Sequence, residues 1–452
     1  MKPVCSGASR SRRASSATVR RPLVLGCLIC LTLLALAGHS AAGERAWSRW
    51  TSTGSVSNAG LSDSAGRARA VVNPYGDEQL LRPHVQIPAP KLEEFFGPAA
   101  AKQRYRLPAE FDPQQGLLLA CREMLDTLPE LFVQIVRAAR PHVPVVMLVN
   151  DNEQWRHAIE LLDSHRIPHD NLHFVEIPHD TMWSRDYGPA IALGENRQPI
   201  ALNAQYDSLT RVDDDDVPIG FGLQTRLKVI SLPIRVDGGN LLTNGRGLAI
   251  TTQATLDENQ ARGLEDDQTL DLLSRYYGAE QVVVLEPLFG EPTAHVDMFA
   301  TFVSSDTVVV GRYDPARDFI NAEVLDRNAE RLEQVTTGNG PLRVVRVPMP
   351  PHDDGIWRTY TNVVHCNGAL LMPTYPRKDP TGGQAARDEF ARLLPGHKIV
   401  GIDAERVAKL GGALHCVTMN LGPIGQLPHF APPTRRRPLE SAISTDELTA
   451  LN

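Results

Sequence analysis

Apolar and polar positions along this chain follow two rhythms that alternate. Residues 116–121 and 143–149 are short continuous apolar runs, the pattern of buried strands. Between them, residues 124–139 place apolar side chains at three- and four-residue spacing, which predicts a helix. The same spacing predicts a helix over 153–164, and a strand follows over 172–177. Strand and helix therefore take turns, which is the pattern of an α/β protein.

Farther along, three segments each read as two strands around a tight turn: 240–253, 295–313 and 360–375. Their turns carry Asn244-Gly245, Ser304-Ser305-Asp306 and Asn367-Gly368. Asn-Gly between apolar runs is the strongest short-range hairpin signal. A helical stretch follows each hairpin, over 257–277, 318–333 and 384–394, and a strand closes each unit, over 281–285, 342–347 and 398–402. Hairpin starts recur about every 55–65 residues, a period typical of repeat architectures. Five such units fit between residues 108 and 424. An open α/β sheet without symmetry is the other architecture this pattern allows.

The two ends depart from this rhythm. The first 21 residues hold Lys2, Arg10, Arg12, Arg13, Arg20 and Arg21 and no acid. An apolar run over 23–37 and the small residues Ser40-Ala41-Ala42 follow. This order reads residues 1–42 as a secretory signal peptide and the protein as exported, periplasmic or secreted. The run is shorter than the roughly 20 residues a membrane helix needs, so no stable span is expected once the signal is removed. Residues 43–106, rich in Ser, Gly, Ala and Pro, read as a linker, residues 107–424 as the catalytic domain and residues 425–452 as a mobile tail.

Composition narrows the partners. The chain has 452 residues, 42% hydrophobic and 22% charged, ordinary globular values. It carries 46 basic and 53 acidic residues; without the six basic residues of the leader the balance is 40 against 53, a net −13. An acidic surface is unsuited to nucleic acid and suited to a cationic substrate. Cys121, Cys366 and Cys416 remain beyond the leader, too few for a disulfide scaffold. The acidic run 213–216 matches no calcium loop and reads as a solvated loop, and no zinc-type spacing appears, so no metal or other cofactor is expected.

The candidate chemistry lies at the edges of the units. Trp183-Ser184-Arg185-Asp186-Tyr187-Gly188-Pro189 concentrates polar and aromatic side chains before a bend. Asp237-Gly238-Gly239-Asn240 lets the backbone approach closely, pointing Asp237 into a cleft or capping a turn. His295 and Asp297 open a hairpin, and in a strand residues two apart share a face. Cys416 follows the turn made by Gly411-Gly412; a buried inert thiol is the other reading, and the same holds for Cys366, where packing is favoured. Together these residues suit one task. Carboxylates grip a guanidinium by paired charge-assisted hydrogen bonds, and an indole such as Trp183 covers its flat face. A thiolate attacks the central carbon while a histidine handles protons.

These segments, with Pro108-Ala109-Glu110-Phe111 and Gly411-Gly412 through His415-Cys416-Val417-Thr418, resemble the Porphyromonas-type peptidylarginine deiminase and agmatine deiminase family, in matching order over about residues 107–424. The resemblance implies the pentein fold, an α/β propeller of five ββαβ units around a pseudo-fivefold axis. It implies Cys416 as nucleophile, His295 as general acid and base, and Asp186 and Asp297 as the guanidinium-binding carboxylates of the catalytic set. Trp183, Asp237, Asn362 and Arg185 are implied to line the substrate site. Asp237 stands where agmatine deiminases look to carry Glu, which weighs against agmatine. The expected activity is hydrolysis of peptidyl-arginine or a related arginine derivative to a ureido product and ammonia, through a covalent thiouronium. Agmatine deimination is the alternative, followed by amidino transfer and by a noncatalytic pentein binding protein.

Overall fold

The computed structural model describes residues 104–206 and 210–424, all within one compact unit. The leader, nearly all of the linker and the tail read from the sequence lie outside the described residues.

The chain opens with strand β1 (Gly116–Ala120), helices α1 (Met124–Thr127) and α2 (Pro129–Ala139), strand β2 (Val145–Val149), helix α3 (Asn152–Ser164) and strand β3 (Leu172–Glu176). β1 and β2 are buried along their whole length, as continuous apolar runs demand. The single helix expected over 124–139 is two: Leu128 leaves helical geometry, and Pro129, which lacks an N–H, begins a new helix at its N-terminal position.

A second unit holds the short helix α4 (Ser184–Tyr187), β4 (Ala190–Leu193), β5 (Pro199–Gln205), α5 (Val212–Thr225) and β6 (Lys228–Arg235). The third has β7 (Leu241–Thr243), β8 (Leu248–Thr252), α6 (Gln253–Ala261), α7 (Asp266–Tyr277) and β9 (Gln281–Leu285). Here too one expected helix is two, because Gly263 takes a left-handed φ of 90°. The fourth has β10 (Ala300–Ser304), β11 (Thr307–Arg312), α8 (Phe319–Glu333), the small pair β12 (Thr336–Thr337) and β13 (Gly340–Pro341), and β14 (Arg343–Pro348). The fifth has β15 (Val364–Cys366), β16 (Ala369–Thr374), α9 (Gln384–Leu393) and β17 (Lys398–Asp403), followed by α10 (Glu405–Ala408) and β18 (Met419–Leu421).

Apart from the β12–β13 pair, the sheets repeat one plan, an antiparallel hairpin, a helical crossover, then a parallel strand, to which the first sheet adds parallel β3. β4 pairs antiparallel with β5 and β5 parallel with β6, and the same holds for β7–β8–β9, β10–β11–β14 and β15–β16–β17. The first sheet completes its hairpin with the last strand: β18 lies antiparallel to β1, with Leu117 opposite Asn420, and β1 runs parallel to β2. The five-unit pentein repeat is thus present, and its two chain ends are tied together.

Two sequence boundaries shift. Tyr105, assigned to the linker, is buried and stacks on Tyr276 at 5.7 Å, and Arg106 bridges Leu193, so the folded unit begins earlier than residue 107. The acidic run 213–216 is no solvated loop but the start of α5. Its carboxylates sit at the helix N-terminus, where the dipole favours negative charge, and Asp214 is fully buried. Cys121, Cys366 and Cys416 are all free thiols.

Candidate active site

The segments leading into the first strand of each unit carry the singled-out residues. Asp186 lies in α4 just before β4, and Asp237 precedes β7. His295 and Asp297 precede β10, Asn362 precedes β15, and Cys416 precedes β18. Repetition of the unit therefore delivers one set of side chains from each of five places to a common centre.

Gly239 marks that centre. A Cβ on it would lie 2.7 Å from His295 Nδ1, 2.8 Å from Asp186 Oδ1 and 3.0 Å from Asp297 Oδ2. Its N–H donates to Asp186 Oδ1 at 3.2 Å. His295 Nδ1 is 3.7 Å from Asp186 Oδ1, and its Nε2 is 3.4 Å from Asp237 Oδ2. His295 and Asp297 do converge, but not by strand alternation: His295 caps, and Asp297 lies within, a single turn of 3-10 helix, Val296–Met298, that precedes β10. That turn is held by Asn240 Oδ1, which accepts from Val296 N at 3.0 Å. Glu291 holds the approach, its carboxylate accepting from Thr293 N and Ala294 N. Ala294, just before His295, sits at a left-handed φ of 56°, a strained position for a residue with a Cβ.

Cys416 lies on the other flank of Asp297. Its Sγ is 3.8 Å from Asp297 Oδ2, and Asn362 Nδ2 donates to it at 3.4 Å. The indole of Trp183 packs against Gly412, where a Cβ would fall 2.4 Å from the ring and 3.0 Å from Cys416 Cβ. Trp183 is positioned in turn by Asp214: that buried carboxylate accepts from Asp180 N, Thr181 N and Thr181 Oγ1, fixing the loop just ahead of the indole.

The electrostatics are dominated by acids. Burial, then the carboxylates of Asp297 and Asp186, push the Cys416 thiol well above its usual pKa. Burial and the neighbouring Asp237 and Asp297 raise Asp186 to about 7, against the opposing pull of His295. Burial disfavours a charge on His295, but Asp186, Asp237 and Asp297 outweigh it and raise its pKa to about 10. His295 and Arg235 hold Asp237 below the usual range despite its burial. Asp297 Oδ1 is buried and makes no hydrogen bond among the described residues. A buried acceptor without a donor is rare and calls for an explanation.

Arg185 departs from expectation. Its Nη1 donates to Glu110 Oε1 at 2.6 Å, Nη2 to Asn420 Oδ1 at 2.9 Å and Nε to Thr418 O at 3.0 Å. With its fork so engaged in the core, it ties β18 to the start of the fold rather than meeting a substrate. Glu110 and His415 lie within the family-like motifs, yet nothing in the residues beside them signals a role. His415 Nδ1 is 2.8 Å from Asp297 Oδ2, and its Nε2 is 2.8 Å from Glu110 Oε2. A cavity of about 70 Å³ is lined by Glu110, Arg185, Asp186 and Gly238 among others; Cys416, His295 and Asp297 are not in its wall. The candidate reacting groups are marked by their mutual geometry, not by that hollow.

The model of the Porphyromonas-type peptidyl-arginine deiminase family matches residues 106–422, well over half of the chain. The chain belongs to this family. It is accordingly a guanidine-modifying deiminase, a hydrolase of C–N bonds in linear amidines. A protein of Legionella pneumophila, provisionally assigned as an agmatine deiminase, is 25% identical to the deiminase over 339 residues, covering 70% of the chain and 94% of the relative. The crystal structure of a provisionally assigned arginine deiminase from Porphyromonas gingivalis superposes with a TM-score of 0.63 at 26% identity, covering 71% of this chain and 99% of that one. The agmatine deiminase of Enterococcus faecalis shares the fold, with a TM-score of 0.63 at 20% identity over 70% of this chain and 95% of that one.

Proposed function

We propose that this deiminase hydrolyses the guanidinium of peptidyl-arginine, or of a related arginine derivative, with Cys416 as nucleophile and His295 as general acid and base. The single observation that carries the residue roles is the clustering of Asp186, Asp297 and His295 about Gly239, with Asp237 against the far side of the imidazole and the Cys416 thiol against Asp297. A flat cation with several N–H donors answers this arrangement: it supplies the missing donor to Asp297 Oδ1 and offsets the crowding of acids. Each charge-assisted bond is worth about 1.5–3 kcal/mol.

The reaction then follows from the charges. With carboxylates as its nearest charged neighbours, the thiol stays protonated until a substrate cation arrives. The bound guanidinium reverses that field, the thiol releases its proton to water, and Sγ attacks the central carbon. His295, held as an imidazolium, gives its proton to the departing nitrogen as the C–N bond breaks, and ammonia leaves. Neutral His295 then takes a proton from water and hydroxide adds to the thiouronium carbon; the C–S bond breaks as the adduct's hydroxyl proton passes to sulfur, releasing the neutral ureido product and restoring the Cys416 thiol.

Three features support peptidyl-arginine: the family's description, residues 1–42, which read as an export leader, and Asp237, which stands where the resemblance implies a glutamate in agmatine deiminases. The agmatine reading is favoured by the assignment of the curated relatives. The test is to incubate purified protein with a blocked arginine ester, an arginine peptide and agmatine, and to measure ureido product. Turnover of the blocked substrates is expected, reduced roughly a thousandfold or more in Cys416→Ala. Turnover of agmatine alone overturns the peptidyl reading, and full activity in Cys416→Ala overturns the nucleophile. Among the described residues no helix is long and apolar enough to cross a membrane.

A further inference from the structure

His415 touches a carboxylate with each of its ring nitrogens. Nδ1 meets Asp297 Oδ2 at 2.8 Å, and Nε2 meets the two oxygens of Glu110 at 3.0 and 2.8 Å. Carboxylate oxygens are acceptors, and a neutral imidazole carries only one N–H. Both contacts are hydrogen bonds when both nitrogens carry a proton, so the geometry describes an imidazolium. Glu110 is itself met by the Arg185 guanidinium at 2.6 Å. Asp297, His415, Glu110 and Arg185 thus form a line of alternating sign, running from the reaction centre to a guanidinium anchored in the core. Asp297, His415 and Arg185 are all but inaccessible to solvent. Buried charges are tolerated when each has a partner of opposite sign, and breaking one pair leaves its neighbour uncompensated.

The line ends on a carboxylate with two unlike oxygens. Oδ2 of Asp297 is engaged by His415, while Oδ1 is buried and meets no donor among the described residues. Free rotation of the carboxylate would exchange them. The backbone of His415 is clamped as well: its N–H donates to Asn362 Oδ1 at 2.8 Å, the same amide that reaches Cys416 Sγ. We infer that Glu110 and His415 are positioning residues that lock the Asp297 carboxylate through one oxygen and so present the other to the substrate guanidinium. This inference rests on the function proposed above. Neither residue touches the reacting atoms; both act through Asp297. Misplacing a binding group by about 1 Å costs on the order of a hundredfold in kcat/KM, and for a group that grips the substrate most of that loss falls on KM.

The test uses the full chain carrying His415→Ala or Glu110→Gln, with kcat and KM on a blocked arginine peptide and thermal unfolding measured in parallel. A group that holds substrate equally before and during reaction shows itself in KM. The expected result is a KM raised about tenfold or more in each variant, with a smaller loss in kcat. Folded variants with KM and kcat within about twofold of the native protein overturn the inference, as does a fall in kcat at unchanged KM. Should His415→Ala fail to fold, Glu110→Gln, which keeps the side chain's volume, decides. Failure of both to fold reduces the line to a stabilising element and also overturns it. A native protein inert towards every guanidine substrate marks failure of the functional reading itself, and is told apart because it appears before any substitution is made.

Discussion

At the scale of single residues, Gly239 sits where a side chain has no room. A methyl there would press on His295, Asp186 and Asp297 at once, none of which can retreat without leaving the reaction centre. Gly239→Ala is therefore expected to lower kcat/KM by roughly a hundredfold with the fold retained, as read from steady-state kinetics and circular dichroism. Titration separates function from stability at the same place. The fold raises Asp186 from its usual 3.8 to about 7, so it favours the neutral acid, and stability falls as pH climbs between those values. His295 shifts stability in the same direction over a higher pH window. Its charge stabilises the fold fully below about 6.5, and that contribution is lost as pH rises through about 10. Asp186→Asn keeps an acceptor for the Gly239 N–H and removes the disfavoured charge. It should lose turnover yet unfold a few degrees higher than the native protein at pH 8, roughly what a stability gain on the order of 1 kcal/mol gives in calorimetry. An unchanged or lower melting point would show that the acids are not crowded.

At the scale of elements, the acidic turn that begins α5 does work its sequence conceals. Read along the chain, four aspartates look like a solvated loop; in space, Asp214 turns inward and takes three hydrogen bonds from Asp180 and Thr181. Asp214→Ala leaves those donors without an acceptor. Stability should fall by about 1–3 kcal/mol in urea unfolding, and KM should rise because Trp183 follows that loop. Equal stability of the two proteins would contradict this account. The elements that were legible are those fixed by side chains within a few residues of one another: the Asn-Gly turns, where Asn367 and Gly368 both adopt positive φ, and the apolar runs of β1 and β2. The helix breaks at Leu128 and Gly263 were missed because apolar spacing continues across them, while a proline and a left-handed glycine set the backbone. His295 and Asp297 were expected to converge by strand alternation, yet a turn of 3-10 helix achieves it.

At the scale of the whole molecule, the repeat closes on its last strand. β18 pairs with β1, and Asn420 within it also reaches Arg185 and His365. A chain ending at Thr418 keeps every catalytic candidate but loses that ladder. It should fail to unfold cooperatively in a thermal scan; a sharp transition at the native temperature would mean that closure is dispensable. The sequence alone determined the α/β rhythm, the five-unit period and the chemical types at the unit edges: thiol, imidazole, carboxylate and indole. Strands, turns and repeats are written in neighbouring residues, and so can be read one segment at a time. Tertiary structure alone decided which of those groups face one another. Arg185, adjacent in sequence to Asp186, points its guanidinium into the core, while Glu110 and His415 meet from 305 positions apart. An ion finds its partner where distant segments are packed together, and dehydration there makes the pairing count; neither the meeting nor the burial is encoded in the residues beside it.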